Sequence, residues 1–264
     1  VKTKKQLKIT VLGSGTSQGV PVIGCDCEVC RSEDPRDQRL RCSVLIESPE
    51  TTVVIDCGPD FRQQMLRAGV KKLDAILLTH EHNDHVIGLD DVRPFNFSQG
   101  GEMPVFGKAA VLEELKRRFA YVFATHPYPG APRIRPVPIE AGTPLRVGDL
   151  HILPLLVWHG KLPILGFRTG DFAYLTDVKT LPDETIEQVR GINCLIISAL
   201  HHQPHHSHLN LTEALELIER IAPRQAFLTH LSHRMGRYET IIKSLPPGVL
   251  PAFDGLELTL PFTD

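Results

Sequence analysis

The segment Thr79-His80-Glu81-His82-Asn83-Asp84-His85 places three imidazoles and one carboxylate, at His80, His82, Asp84 and His85, within six positions. A solvated loop has little reason to collect metal-competent groups at this density, so the pattern reads as a metal site. The run Asp74-Ala75-Ile76-Leu77-Leu78-Thr79 before it is apolar and strand-like, and Val86-Ile87-Gly88-Leu89 after it suits the first turn of a helix. The motif therefore belongs on a strand-to-helix loop. In extended chain His80 and His82 point the same way and can share one ion, while Asp84 and His85, where the chain turns, can face a second. Nitrogen donors with a carboxylate suit Zn²⁺, Mn²⁺ or Fe²⁺, whereas Ca²⁺ and Mg²⁺ prefer sites made of oxygen alone.

A second constellation, Gly24-Cys25-Asp26-Cys27-Glu28-Val29-Cys30, brings three thiols within six residues. Three thiolates can wrap one tetrahedral Zn²⁺ and leave its fourth position to a residue from elsewhere. A disulfide fits poorly because one thiol stays unpaired, and the polar setting argues against reduced core thiols. Six cysteines, half of them in this loop, suit a reducing compartment.

The H-x-H-x-D-H pattern of residues 80–85 resembles the signature of the metallo-β-lactamase superfamily. That resemblance implies an α/β fold, the αβ/βα four-layer sandwich, with further ligands at the ends of later strands. His159, after the run His151–Trp158, and Asp177, after Phe172–Thr176, occupy such exits. For the last ligand, the stretch 201–208 offers His201, His202, His205, His206 and His208. His208 immediately precedes a helix with Asn210 and Glu213 placed as a capping box, and His205 is the runner-up.

Within the superfamily the chain resembles the PhnP-type phosphodiesterase branch, from Gly13–Pro21 to Phe253-Asp254-Gly255. That branch has a C-x-C-x-x-C loop closed by the second histidine of a T-H-x-S-H segment, here Thr229-His230-Leu231-Ser232-His233. The resemblance implies a structural zinc held by Cys25, Cys27, Cys30 and His233. It also implies two catalytic divalent ions, Zn or Mn, one on His80, His82 and His159 and the other on Asp84, His85 and His208. Asp177 would bridge them, Asp84 and His230 would be catalytic, and Asp56 would buttress the histidine loop. His208 is favoured over its neighbours mainly because its spacing to His230 follows that branch. Departures concentrate at residues 201–206 and 128–132, where substrate identity transfers least.

The positioning elements alternate. Strands are expected at 7–12, 42–48, 52–56 and 74–79, then a helix near 108–121; strands follow at 151–158, 164–169, 172–176, 193–199 and 225–229, with helices near 183–190 and 211–222. Two such halves in residues 1–264, undivided by a linker, suit a single domain of two sheets with helices outside. The Pro-rich stretch from His126 to Pro138 interrupts the pattern as a connection, a cover for the cleft or a dimer contact.

Formal net charge is −2, with Lys and Arg dispersed, so no general nucleic-acid-binding surface is expected. The cluster Lys108, Lys116, Arg117 and Arg118 reads as a solvated helix face. No apolar run approaches membrane-spanning length, and Val1-Lys2-Thr3-Lys4-Lys5 lacks the apolar core of a signal peptide, so a cytoplasmic protein with no membrane partner is expected. Two adjacent ions can deprotonate a shared water near neutral pH and neutralise charge on phosphoryl oxygens. The expected function is hydrolysis of small or cyclic phosphodiesters. Alternatives are an RNase Z-like ribonuclease, a lactone or thioester hydrolase, and a noncatalytic metal-braced scaffold. A homodimer is an expectation by likeness to the branch.

Overall fold

Alternation of side chains across each strand sets the layers: Val53 and Ile55 face one way and Val54 the other, and all three are fully buried. Both faces of the sheet must therefore be covered. The computed structural model describes residues 5–262, so the Val1–Lys4 part of the start considered above lies outside it. The first half comprises β1 (Gln6–Gly13), β2 (Ser43–Glu47), β3 (Thr52–Ile55), α1 (Phe61–Arg67), β4 (Ala75–Leu77), α2 (Asn83–Val86), α3 (Arg93–Gln99), β5 (Met103–Gly107), α4 (Ala109–Arg118) and β6 (Ile134–Pro138). The second comprises β7 (Leu145–Val147), β8 (Leu150–His159), β9 (Leu162–Thr169), β10 (Phe172–Leu175), α5 (Asp183–Val189), β11 (Cys194–Ser198), α6 (Leu211–Ile221), β12 (Gln225–Thr229), α7 (Tyr238–Ser244) and β13 (Val249–Pro251). A last strand, β14 (Glu257–Pro261), returns beside β1.

One sheet has the order β14-β1-β2-β3-β4-β5-β6 and the other β13-β12-β11-β10-β9-β8-β7. Their inner faces pack Val44, Ile46, Val53, Ile55 and Leu77 against Leu165, Phe167, Tyr174, Ile196 and Phe227. Outside the first sheet, Val54, Ile76 and Val105 meet Phe61, Met65, Phe95, Leu112 and Leu115 from α1, α3 and α4. Outside the second, Val157, Leu175, Ile197 and Leu228 meet Ile186, Ala214, Ile218 and Ile241 from α5, α6 and α7. Helix, sheet, sheet, helix is the αβ/βα sandwich. Strands β3 to β6 run parallel, as do β10 to β13, so their carboxyl ends gather at one edge of each sheet. Metal-competent residues leave the strands at that edge.

Some elements differ from expectation. The strand expected at 74–79 ends at Leu77, because Leu78 and Thr79 bend into the motif loop. The helix after the motif starts earlier, at Asn83, so Asp84 and His85 sit in its first turn. The Pro-rich connection ends in a strand, β6, whose Pro136 and Pro138 are tolerated because β6 is a sheet edge. The helices expected near 108–121, 183–190 and 211–222 form as α4, α5 and α6, and α6 carries the full Asn210–Glu213 capping box. Among the described residues, no helix is long and apolar enough to cross a membrane.

Candidate metal centre

Asp56, just past β3, organises the motif loop. Its carboxylate, fully buried, accepts from the Thr79 backbone N–H (2.9 Å) and hydroxyl (2.9 and 3.0 Å), and pairs with His85 Nδ1 at 2.7 Å. Thr79 Oγ1 also lies 2.9 Å from His80 Nδ1, and His159 Nδ1 donates to the Ser207 carbonyl at 2.9 Å. In His80, His85 and His159, therefore, Nδ1 is occupied and Nε2 is left for an ion.

The ligand atoms converge in groups lying within 4.8 Å of one another: His80, His82 and His159; His80, His85 and Asp177; Asp84, His85 and His230; His159, Asp177 and His208. His80 Nε2 is 3.0 Å from His82 Nδ1, and His85 Nε2 is 3.1 Å from Asp84 Oδ2 and 3.4 Å from Asp177 Oδ2. Asp177 Oδ1 lies 3.2 Å from His230 Nε2 and 3.7 Å from His208 Nδ1. Ligands held about 2.0–2.2 Å from a shared tetrahedral ion stand about 3.3–3.6 Å from each other, and these separations, 3.0–3.7 Å, lie within about 0.3 Å of that range. Buried His85 Nε2, His208 Nδ1 and both ring nitrogens of His230 have no hydrogen-bond partner. Orphaned buried nitrogens on His85 and His230 beside two carboxylates are what bound cations would satisfy.

The ionisation pattern agrees with that chemistry. Burial first, and then neighbouring His85, pushes His80 well below the usual imidazole range, and burial pushes His230 down as well. His208 falls to about 2 through burial and the adjacent His230. In these three the neutral form, which coordinates metal, is favoured; at His85 burial would lower the ring too, but Asp56 and Asp177 push it well above the usual range, so this ring gives up a proton on binding an ion. Burial would raise Asp177, but His230, His85 and His80 around it hold its carboxyl well below the usual range, so it stays anionic.

One pair differs from expectation. His208 was expected beside Asp84 and His85, with His230 as the catalytic histidine. In the structure His230 joins Asp84 and His85, while His208 groups with His159 and Asp177 and stacks on His230 at 4.7 Å between ring centroids. The cause is backbone: His230 has φ 57°, a left-handed conformation at the end of β12 that spacing does not reveal. His205, the runner-up, joins no ligand group among the described residues; its Nδ1 lies 3.3 Å from both the backbone N–H and the hydroxyl of Ser207. His202 Nε2 lies 3.0 Å from the Met235 carbonyl.

The cysteine loop closes on the same strand-end segment. His233 Nδ1 lies 3.2, 3.4 and 3.6 Å from the sulfurs of Cys25, Cys27 and Cys30. A tetrahedral Zn²⁺ with sulfur at about 2.3 Å and nitrogen at about 2.0–2.1 Å sets them about 3.6 Å apart, so the four residues suit a closed site. Burial opposes thiolate formation at Cys27, but the Cys30 backbone N–H and His233 bring its thiol down to about 6. One residue without a sequence signal supports this junction. Arg39 is buried, pairs with Asp37 at 3.0 Å, and donates to the Ser232 and Gly236 carbonyls on either side of His233.

A family model described as a beta-lactamase superfamily domain matches residues 51–231. A crystal structure of a new diphosphatase from the PhnP family superposes with a TM-score of 0.90 at 40% identity, covering 97% of each chain. An octanoyltransferase of Porphyromonas gingivalis is 43% identical over 253 residues, which are 95% of this chain and 51% of that protein. A ribonuclease Z of Bradyrhizobium diazoefficiens is 34% identical over 110 residues, 40% of this chain and 34% of that one. The chain thus spans about half, or less, of the length of these two curated relatives.

Proposed function

Because the chain belongs to the metallo-β-lactamase superfamily and is PhnP-like over nearly its whole length, we propose that it is a metal-dependent phosphodiesterase acting on small phosphodiesters. The observation that carries this reading is the pair of ligand trios, His80, His82, His159 and Asp84, His85, His230, with Asp177 beside both. Two divalent ions bound there would supply an activated water and positive charge for the phosphoryl oxygens. The chain's own residues do the rest. His80, His82 and His159 would hold one ion, and Asp84, His85 and His230 the other, with Asp177 bridging. Asp56 and Thr79 fix the ring orientations of His85 and His80. His208, with its side chain 13% exposed and Nδ1 toward Asp177, is left to present Nε2–H to the leaving oxygen as its charge develops. In this assignment His208 and His230 exchange the roles that the resemblance implies. The cysteine site would carry a structural zinc.

Octanoyl transfer is the reading suggested by one relative's name, but half of that protein lies outside the match. Burial also raises the thiols of Cys42, Cys57 and Cys194 above their usual range, which disfavours a thiolate nucleophile in the core. The test is turnover by metal-loaded protein of bis(4-nitrophenyl) phosphate, a homoserine lactone, an octanoyl thioester and a precursor tRNA. Metal-dependent turnover of the phosphodiester, well above the rest, supports the proposal; preference for any other substrate refutes it.

A further inference from the structure

His208 differs from the other histidines of this edge in what holds it. At His80, His85 and His159 a partner on Nδ1 fixes the ring. His208 Nδ1 is 3.7 Å from Asp177 Oδ1, too far for a hydrogen bond, and has no other partner among the described residues. Its place is therefore set through the backbone, where three segments meet: the end of β8, the exit of β10 and the stretch leading into α6. His159 Nδ1 donates to the Ser207 carbonyl at 2.9 Å, the Lys179 N–H to the Trp158 carbonyl at 2.7 Å, and the Leu209 N–H to the Val178 carbonyl at 2.7 Å. Lys179 adds a side chain to this seam. Its partly buried ammonium donates to Glu213 Oε1 and Oε2 at 2.8 and 3.0 Å and reaches the His208 carbonyl at 3.4 Å. Helix α6 does not need that cation, because its capping box is complete without it: Asn210 Oδ1 accepts the Glu213 N–H and Glu213 Oε2 accepts the Asn210 N–H, both at 2.9 Å. An ammonium beside a helix N-terminus also opposes the helix dipole, so helix stability alone would not select it.

We propose that Lys179, anchored by Glu213, is the positioning residue for His208, holding the main chain of that histidine against the loop that carries Asp177. The inference rests on the reading of His208 as the donor to the leaving oxygen. A cleft of about 360 Å³ opens on His208 and His230, and Lys179 does not line it, so Lys179 acts through His208 and not on the substrate. It stands two residues past Asp177, the carboxylate set to bridge the ions. One side chain thereby fixes how far the donor lies from the reacting centre, a distance in which an error of about 1 Å can cost about 10²-fold in rate.

The test uses metal-loaded protein and Lys179→Met, which keeps the apolar stem and removes the charge. This variant should lower kcat on bis(4-nitrophenyl) phosphate by about tenfold or more, with KM and metal content unchanged. Lys179→Arg, which can donate to the same two acceptors, should recover most of that loss. In a His208→Ala background Lys179→Met should change kcat by less than about twofold, because a positioning residue acts only through the residue it positions. An undiminished kcat in Lys179→Met, an equal loss in both backgrounds, or loss of an ion from Lys179→Met overturns the proposal. Hydrogen exchange at the Leu209 amide gives a readout independent of turnover, and it should quicken by more than about tenfold in Lys179→Met. If no phosphodiester is turned over, or His208→Ala leaves kcat unchanged, the reading of His208 fails. Exchange at Leu209 then decides whether Lys179 holds this seam, and an unchanged rate overturns it.

Discussion

Replacing His208 and His230 separately by alanine distinguishes the two orders in which this edge can work. His230 Nε2 lies 3.2 Å from Asp177 Oδ1 and belongs to the trio with Asp84 and His85, and both its ring nitrogens are otherwise unpartnered. Removing it takes one of three terminal ligands from an ion, so His230→Ala should purify with about two ions per chain where the native protein holds about three, counting the structural zinc. His208 lines the same open cleft as His230 but is the more exposed of the two, its side chain 13% exposed against 3%. Its loss should leave the ions in place and remove one donor aimed at developing charge, which costs about 10²–10³-fold in kcat, or about 2.7–4 kcal/mol of barrier. The assay is elemental analysis of each purified variant alongside kcat on bis(4-nitrophenyl) phosphate. The reasoning is refuted if His208→Ala loses an ion while His230→Ala keeps the full complement and only slows turnover.

Three other expectations can be measured on the same preparations. Asp56→Asn should weaken catalytic metal binding by about 10–100-fold, because the carboxylate that orients His85 is lost; competition with a chromogenic chelator reads it, and unchanged affinity removes the orienting role. Cys30→Ser should lower the zinc content by one ion and reduce the thermal midpoint while the catalytic ions remain, so a variant that keeps its zinc would show that the thiols do not form a site. Arg39→Ala leaves Asp37 buried without its partner and should cost about 3–5 kcal/mol in denaturant unfolding; a loss under about 1 kcal/mol would mean that the pair does not brace the loop.

The parts legible in the sequence were those written in short-range pattern. His80, His82, Asp84 and His85 lie in one loop, Cys25, Cys27 and Cys30 in another, and Asn210 with Glu213 sets a helix start whose capping box forms. The αβ/βα layering followed from alternating strands and helices together with the resemblance. Roles decided by backbone direction were not legible. The left-handed residue at His230 swings its ring to Asp84 and His85, and nothing in a run of residue types specifies φ at a strand end. Strands of three residues, such as β7 and β13, carry too few alternations to register as a period. Arg39 was missed for a different reason: its buried partners are at Asp37, Ser232 and Gly236, and the last two lie far along the chain.

Four non-glycine residues among those described have positive φ, and three of them, Asp56 (65°), Asp177 (56°) and His230 (57°), stand just past strands at the ligand edge. The fourth, Ala222, is the ordinary left-handed cap of α6. Each such turn costs roughly 1–2 kcal/mol for a residue with a Cβ, so three at one edge are a local debit that surrounding contacts must offset. At Asp56 the offset is visible in the bonds from Thr79 and His85. At Asp177 it includes the Thr176 hydroxyl at 2.8 Å. His230 has no such bond, and its two orphaned nitrogens stand where an ion would complete them. Each ion would also draw ligands from both halves, His80 and His82 with His159, and Asp84 and His85 with His230. Neither half could assemble the centre alone, so packing of the two sheets and occupation of this edge should stabilise one another.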